Sequence, residues 1–214
     1  MSNYDSIVFD LDGTLWDASA SCAAGWNAAL EKERITDRVV SADDIRTVSG
    51  LPFNECVSSL FGSLPSGDLI KLGEMIEVHE KDTVKNSGGE LYEGVLYGLE
   101  MLANRYRLFL VSNCQSWYLQ EFWKHSETSQ FFVDQDCHGD SGNPKAQMIA
   151  GMVERHELSQ AVYIGDTVGD KRSSQEAGVT FGHASYGFGS VEAADMSFAS
   201  FSEIVARFRG ESAA

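Results

Sequence analysis

The sequence predicts an α/β fold: an open parallel sheet with helices on both faces, interrupted by an all-helical insert. Three observations carry this expectation. Short, near-continuous apolar runs recur along the chain, the pattern of strands buried on both faces. Helical periodicity lies between the later runs, where parallel strands need their crossovers. From about residue 16 to 88 there is helical spacing and no convincing strand.

The first run, SIVFD (6–10), is rich in β-branched residues and reads as a buried strand. The helical region follows. SASCAAGWNAALEKE (19–33) sets Cys22, Trp26, Ala29 and Leu30 at helical spacing. SADDIRTVSG (41–50) opens on Ser41 with Asp44 three residues on, close to a capping box, and stops at Gly50. Pro52 suits the first turn of the next helix, which continues through FNECVSSLFG (53–62). SGDLIKLGEMIEVHEKDTV (66–84) places Leu69, Leu72 and Ile76 on one face, with His79 next in line as a packed or half-exposed side chain. Composition shifts near Leu15 and at NSGG (86–89) bound the insert, so the expected division is 1–15 with 89–214 as the sheet domain and 16–88 as the helical one. Beyond it, GVLYGLEMLANRY (94–106) carries Leu96, Leu99 and Leu102 on one side, with Val95 nearby. LFLVS (108–112) and QFFVD (130–134) read as strands. KAQMIAGMVERHEL (145–158) carries Met148, Ile149, Met152 and Val153 at helical spacing. AVYIGD (161–166) and GVTFG (178–182) complete the sheet, and the tail RGESAA is expected to fray.

The totals bound the function. With 214 residues and 43% hydrophobic content, the chain is long enough for a full core. Lys and Arg number 16 against 32 Asp and Glu, a formal charge of −16. That balance argues against nucleic acid and against anionic membranes, both of which need clustered basic residues. It admits a small anionic substrate, because one Lys and a bound cation reverse the sign locally. No run approaches a membrane span, and MSNYDS lacks the basic flank of a signal peptide. Four cysteines without C-x-x-C spacing point to reduced thiols in a cytoplasmic protein. Cys137 and His138 would be half of a metal site, and no second pair accompanies them.

Ligands of an open parallel sheet bind beyond the carboxyl ends of its strands. Polar residues gather there: Asp10 and Asp12 after the first strand, Ser112 and Asn113 after the second, Asp166 and Asp170 in GDTVGD. Lys145 opens the helix that precedes Asp166. Carboxylates in such company need a cation, and an all-oxygen set without His or Cys suits Mg²⁺. Ser112, the backbone near Asn113, and Lys145 offer donors to an anion, and Gly13 lets backbone approach it closely. These are the parts for phosphoryl transfer.

In this order, DLDGT, VSN, NPK and GDTVGD resemble the four signature motifs of the haloacid dehalogenase superfamily. A helical insert after the first motif resembles the cap of its phosphoglycolate-phosphatase-like branch. The resemblance implies a Rossmann-like core with a helical cap. It implies that Asp10 is the nucleophile and forms an aspartyl-phosphate, and that Asp12 is general acid and then general base. It implies Mg²⁺ ligands from the Asp10 side chain, the Asp12 backbone carbonyl and Asp166, with Asp170 as ligand or support. Ser112, Asn113 and Lys145 would bind phosphoryl oxygens. SGLPFNECV (49–57) would lie over the site with Phe53 or Asn54 facing substrate, though Phe53 equally suits cap core. SYGFG (185–189) would sit at the rim, or Tyr186 and Phe188 would only pack the cap hinge. Cys114 lacks a nearby base and reads as packing.

Two positions depart from the pattern. Glu93 stands where related chains often carry Pro, and Trp16 is bulky for its place, which would narrow the site. The activity expected is a Mg²⁺-dependent phosphatase of a small soluble phosphomonoester. A sugar-phosphate mutase shares the same acids and stays open as an alternative. A haloacid dehalogenase is disfavoured by Asp12, and a silent binding protein by the intact acid set.

Overall fold

The computed structural model describes residues 4–34 and 36–210. Residues 211–214 of the tail expected to fray lie outside them. Six strands form one wholly parallel sheet: β1 (Ser6–Phe9), β4 (Arg107–Ser112), β5 (Phe132–Cys137), β6 (Ala161–Gly165), β7 (Thr180–Ala184) and β8 (Met196–Phe198). Their order is β5-β4-β1-β6-β7-β8. The chain steps outward from β1 through β4 and β5, returns to β6 on the far side of β1, and steps outward again. The order thus reverses around β1, where Phe9 lies between Leu110 and Ile164. Such a reversal opens a crevice beyond the strand ends.

Strand periodicity divides the core into two layers. Ile7 and Phe9 face one layer with Leu108, Leu110, Val162 and Ile164. Helices α5 (Val95–Ala103), α6 (Ser116–Ser126) and α10 (Phe201–Arg209) contribute to it. Val8 faces the other layer with Phe109, Val111, Tyr163 and Phe181. Helix α8 (Lys145–Arg155) covers this face with Met148, Ile149 and Met152. Helix α9 (Val168–Glu176) and the one-turn α7 (His138–Ser141) complete the connections.

Between β2 (Trp16–Asp17) and β3 (Glu90–Leu91), which pair antiparallel, the chain runs through four helices. They are α1 (Ser19–Glu33), α2 (Ala42–Val48), α3 (Phe53–Phe61) and α4 (Ser66–Ser87). Ser41 and Asp44 form the full reciprocal capping box of α2. Trp26 of α1 stacks on Phe61 at 6.1 Å and meets Phe53 edge-on at 6.3 Å. Helices α1 and α4 touch backbone to backbone: a Cβ on Gly25 would lie 2.4 Å from the Glu80 Cα.

Several elements differ from expectation. The strand expected over 130–134 is Phe132–Cys137, because Ser129–Phe131 closes a 3₁₀ turn first. The strand expected over 178–182 begins at Thr180, since Gly178 turns with φ +71°. Leu96 is 52% exposed, and the buried stripe of α5 is Val95, Leu99 and Leu102, at i, i+4 and i+7. The segment from residue 16 does contain a strand, β2, whose two residues are too few to show a period. Pro52 precedes α3 as its N-cap residue instead of entering the first turn. Among the described residues no helix is long and apolar enough to cross a membrane.

Candidate active site

Asp10 follows β1 directly, its N–H held by the Ile164 carbonyl at 2.8 Å, and it is 1% exposed. Lys145 is the first residue of α8, 4% exposed. Its Nζ donates to Asp10 Oδ1 at 2.8 Å and to Asp170 Oδ1 at 2.6 Å. Asp170 sits at the third position of α9 in a reciprocal capping box with Thr167, so its other oxygen accepts from the Thr167 N–H and hydroxyl. Asp166 ends β6, and its Oδ2 accepts from the N–H groups of Phe188 (2.7 Å) and Gly189 (3.3 Å). Its Oδ1 is buried without any partner.

One oxygen from each of Asp10, Asp166 and Asp170 lies within 4.8 Å of the others. One ammonium among three carboxylates leaves two negative charges in a buried space, and a divalent cation would balance them. The orphaned Asp166 oxygen fits that role, since a buried carboxylate oxygen without a donor is costly. Gly13 contributes by absence. With φ +80° and a would-be Cβ 2.2 Å from Asp166 Oδ2, it allows no side chain beside the cluster. Gly187 closes against the same spot: its Cβ would lie 2.2 Å from the Gly13 carbonyl oxygen.

The electrostatics follow from this packing. Burial, then Asp170, push the Asp10 carboxyl well above the usual range, against the pull of Lys145. Burial and Asp170 push Asp166 up to about 7 despite two N–H donors. Asp170 moves the other way: burial opposes, but Lys145 and the Thr167 hydrogen bonds prevail and hold it low. Burial would discharge Lys145, yet Asp10 and Asp170 keep it firmly protonated.

Asp12 stands apart from the cluster. Its Oδ1 accepts from the Tyr118 hydroxyl at 2.5 Å, and burial raises its carboxyl to about 6. Ser112 Oγ accepts from the Cys114 N–H at 3.2 Å. Asn113 donates through Nδ2 to the Gly50 carbonyl at 2.7 Å, tying the end of β4 to the loop between α2 and α3. Asp10, Asp12, Ser112 and Asn113 line one wall of a cavity of about 80 Å³, and α1–α4 provide the opposite wall.

Other expectations resolve residue by residue. Phe53 lines the cavity as well as packing on Trp26, whereas Asn54 is exposed. Tyr186 donates to the Thr14 carbonyl at 2.7 Å and meets Tyr92 edge-on, so it packs where the chain passes between the sheet and the helical segment. Phe188 anchors Asp166 through its backbone and lies beneath the Arg46 guanidinium at 5.9 Å. Arg46 also pairs with Asp17 of β2 at 2.7 Å, linking α2 to that strand. Trp16 does not narrow the cavity; it stands behind Tyr118 and Phe122, edge-on to both. The four cysteines are free thiols, and burial pushes Cys114 well up, away from reactivity. Cys137 donates to Asp140, and His138 turns to the Asn143 carbonyl.

Glu80, Trp117 and Tyr118 also line the cavity without having been expected there. Glu80 had a sequence signal: it continues the Leu72, Ile76, Val84 spacing of α4 at steps of four, an acid in an apolar stripe. Tyr118 and Trp117 reach the site through the tertiary placement of α6, which no local pattern encodes.

The first strand thus delivers Asp10 to a lysine-bridged acid cluster at the carboxyl edge of the sheet, with Asp12 two residues on and outside the cluster. The family Haloacid dehalogenase-like hydrolase matches residues 7–184, and the chain belongs to it. Among solved structures, a haloacid dehalogenase-like hydrolase family protein from Streptococcus pneumoniae superposes with a TM-score of 0.85 at 23% identity, covering 97% of this chain and 100% of that one. A predicted phosphoglycolate phosphatase from Haemophilus somnus gives 0.84 at 21% identity, over 97% and 99%. A predicted phosphatase from Clostridium acetobutylicum gives 0.79 at 20%, over 98% and 100%. At such identities the likeness speaks to the fold. No curated protein matches the chain.

Proposed function

We propose that the chain is a Mg²⁺-dependent phosphatase of a small phosphomonoester, with residues 16–88 as a cap over a core of 1–15 and 89–214. The observation that carries this is the buried Asp10–Lys145–Asp170 chain of ion pairs beside the unpartnered Asp166 oxygen. Asp10, Asp166, Asp170 and the Asp12 backbone carbonyl would hold the ion, which when bound offsets negative charge on the acids and on a phosphoryl group. Asp10 attacks phosphorus and forms an aspartyl-phosphate as the bond to the leaving oxygen breaks. Asp12 gives its proton to that oxygen, and then takes one from the water that attacks the phosphorus and frees Asp10. Tyr118 holds the Asp12 carboxyl in place for both transfers. Ser112, Asn113, the backbone at Gly13, and Lys145 receive the phosphoryl oxygens. The free thiols fit a reducing cytoplasm, and the formal charge of −16 disfavours nucleic acid and anionic membranes.

The test is phosphate release from a generic aryl phosphate with and without Mg²⁺. Turnover is expected only with the metal, and Asp10→Asn lowers kcat by at least about 10³-fold. Near-normal turnover by Asp10→Asn would remove the nucleophile from the scheme.

A further inference from the structure

The wall of the cavity opposite Asp10 and Asp12 receives whatever part of the substrate leaves with the oxygen. Its composition is uneven. Aromatic side chains of Trp26 and Phe53 line it, together with Glu80, and Trp117 and Tyr118 line the cavity from α6 on the Asp12 side. Among the described residues that line the cavity, none is Lys, Arg or His. Glu80 is 7% exposed, and its Oε1 accepts from the Trp26 indole N–H at 2.9 Å. A glutamate buried against the Trp26 indole does nothing for packing that an apolar residue would not do better.

The nearby cations are engaged elsewhere. Arg46 is held by Asp17 and Asp43, each at 2.7 Å. Lys145 is held by Asp10 and Asp170, and Lys71 pairs with Glu33 at 2.6 Å. A leaving group bearing a carboxylate would therefore enter beside Glu80 and Asp12 with no counter-charge. The formal charge of −16 adds a field of the same sign. An ammonium meets the reverse situation: a desolvated carboxylate partner in a cavity without a competing cation.

We propose that Glu80 is a specificity-determining residue and that the substrate is a phosphomonoester whose leaving group carries an ammonium-type cation, a proposal that rests on the phosphatase reading above. The ammonium donates to the Glu80 carboxylate, with Trp26 fixing the orientation of that carboxylate. The phosphoryl end meanwhile lies at Asp10, with the ester oxygen toward Asp12.

Three esters of matched size test it: 2-aminoethyl phosphate, 2-hydroxyethyl phosphate and phosphoglycolate, each with Mg²⁺. For the wild-type chain, kcat/KM is expected to favour the aminoethyl over the hydroxyethyl ester by at least about tenfold. Phosphoglycolate is expected to be the poorest of the three. In Glu80→Gln the aminoethyl-to-hydroxyethyl ratio falls toward one. The wild-type ratio needs no variant to fold, and calorimetric binding of the first two esters to Asp10→Asn protein gives a second measure of the same preference. Phosphate release from all three with no ammonium preference, or with phosphoglycolate best, overturns the inference and leaves the phosphatase reading standing. No phosphate from these esters or from an aryl phosphate overturns both.

Discussion

Glu80 occupies a position that Leu72, Ile76 and Val84 mark as apolar, and its chemistry shows the strain. Burial pushes its carboxyl from the ordinary 4.5 up to about 7, with the Trp26 hydrogen bond pulling back. A carboxyl raised in this way favours the folded state fully below pH 4.5, where both states are protonated. That contribution is lost as pH rises toward 7, because the unfolded chain ionises first and the folded one follows at a cost. Glu80→Gln removes the titration. Relative to wild type it is expected to gain about 3 kcal/mol of stability between pH 4.5 and 8, read by urea unfolding at the two values. A difference that stays flat across the span would show Glu80 to be ionised freely in the fold. At this scale the sequence was informative where chemistry is local. Asp10, Asp12, Asp166 and Asp170 follow strand ends by a few residues, so spacing alone brings them to one edge. Glu80 and Tyr118 arrive from helices that pack from elsewhere, and the spacing of Leu69, Leu72 and Ile76 points next to His79, one step off the buried stripe.

Among the elements, the contact of α1 with α4 is set by a missing side chain. A Cβ at Gly25 would meet the Glu80 backbone at 2.4 Å, and backbone cannot swing aside. Gly25→Val therefore pushes the helices apart. The better helix propensity of Val over Gly, about 0.5 kcal/mol, is smaller than an overpacking cost of about 1–3 kcal/mol. Thermal unfolding is expected to fall by about 5 °C. Gly151 on α8 has nothing within 4 Å of its would-be Cβ, so Gly151→Ala should raise stability by about 0.5–1 kcal/mol. Equal effects at both positions would rule out the close approach as the cause. Long periodic helices such as α1 and α4 were legible from their spacing. The pair β2 and β3, two residues each, and the edge strand β8, Met196–Phe198, were not: such short segments acquire their conformation from distant partners.

For the molecule as a whole, the proposed divalent cation would stabilise the fold as well as serve the reaction, because it would bind three buried acids that only the fold brings together. Ligands that bind only the folded state add stability by mass action. Mg²⁺ at about one hundred times its Kd is expected to add about 2.7 kcal/mol and to raise Tm by about 5–10 °C. Asp166→Asn should lose most of that rise, as followed by scanning calorimetry across a Mg²⁺ series. An undiminished rise in the variant would place the ion elsewhere. The parallel architecture itself was readable because buried strands alternate with helices; how the insert folds over the sheet was not, since it depends on single contacts such as Asn113 with Gly50.

Gly13 and Gly187 both pack against the Asp166 side chain, and Gly187 also against the Gly13 carbonyl, with room for hydrogen alone. Any heavier residue at either position would collide with the acid or with its neighbour's carbonyl. The seam is thus frozen against inheritance, while Trp26, Phe53 and Glu80 across the cavity are replaceable helix side chains. Descendants of this gene could drift toward new molecules by redecorating one wall, and the bond-breaking apparatus would never register the change.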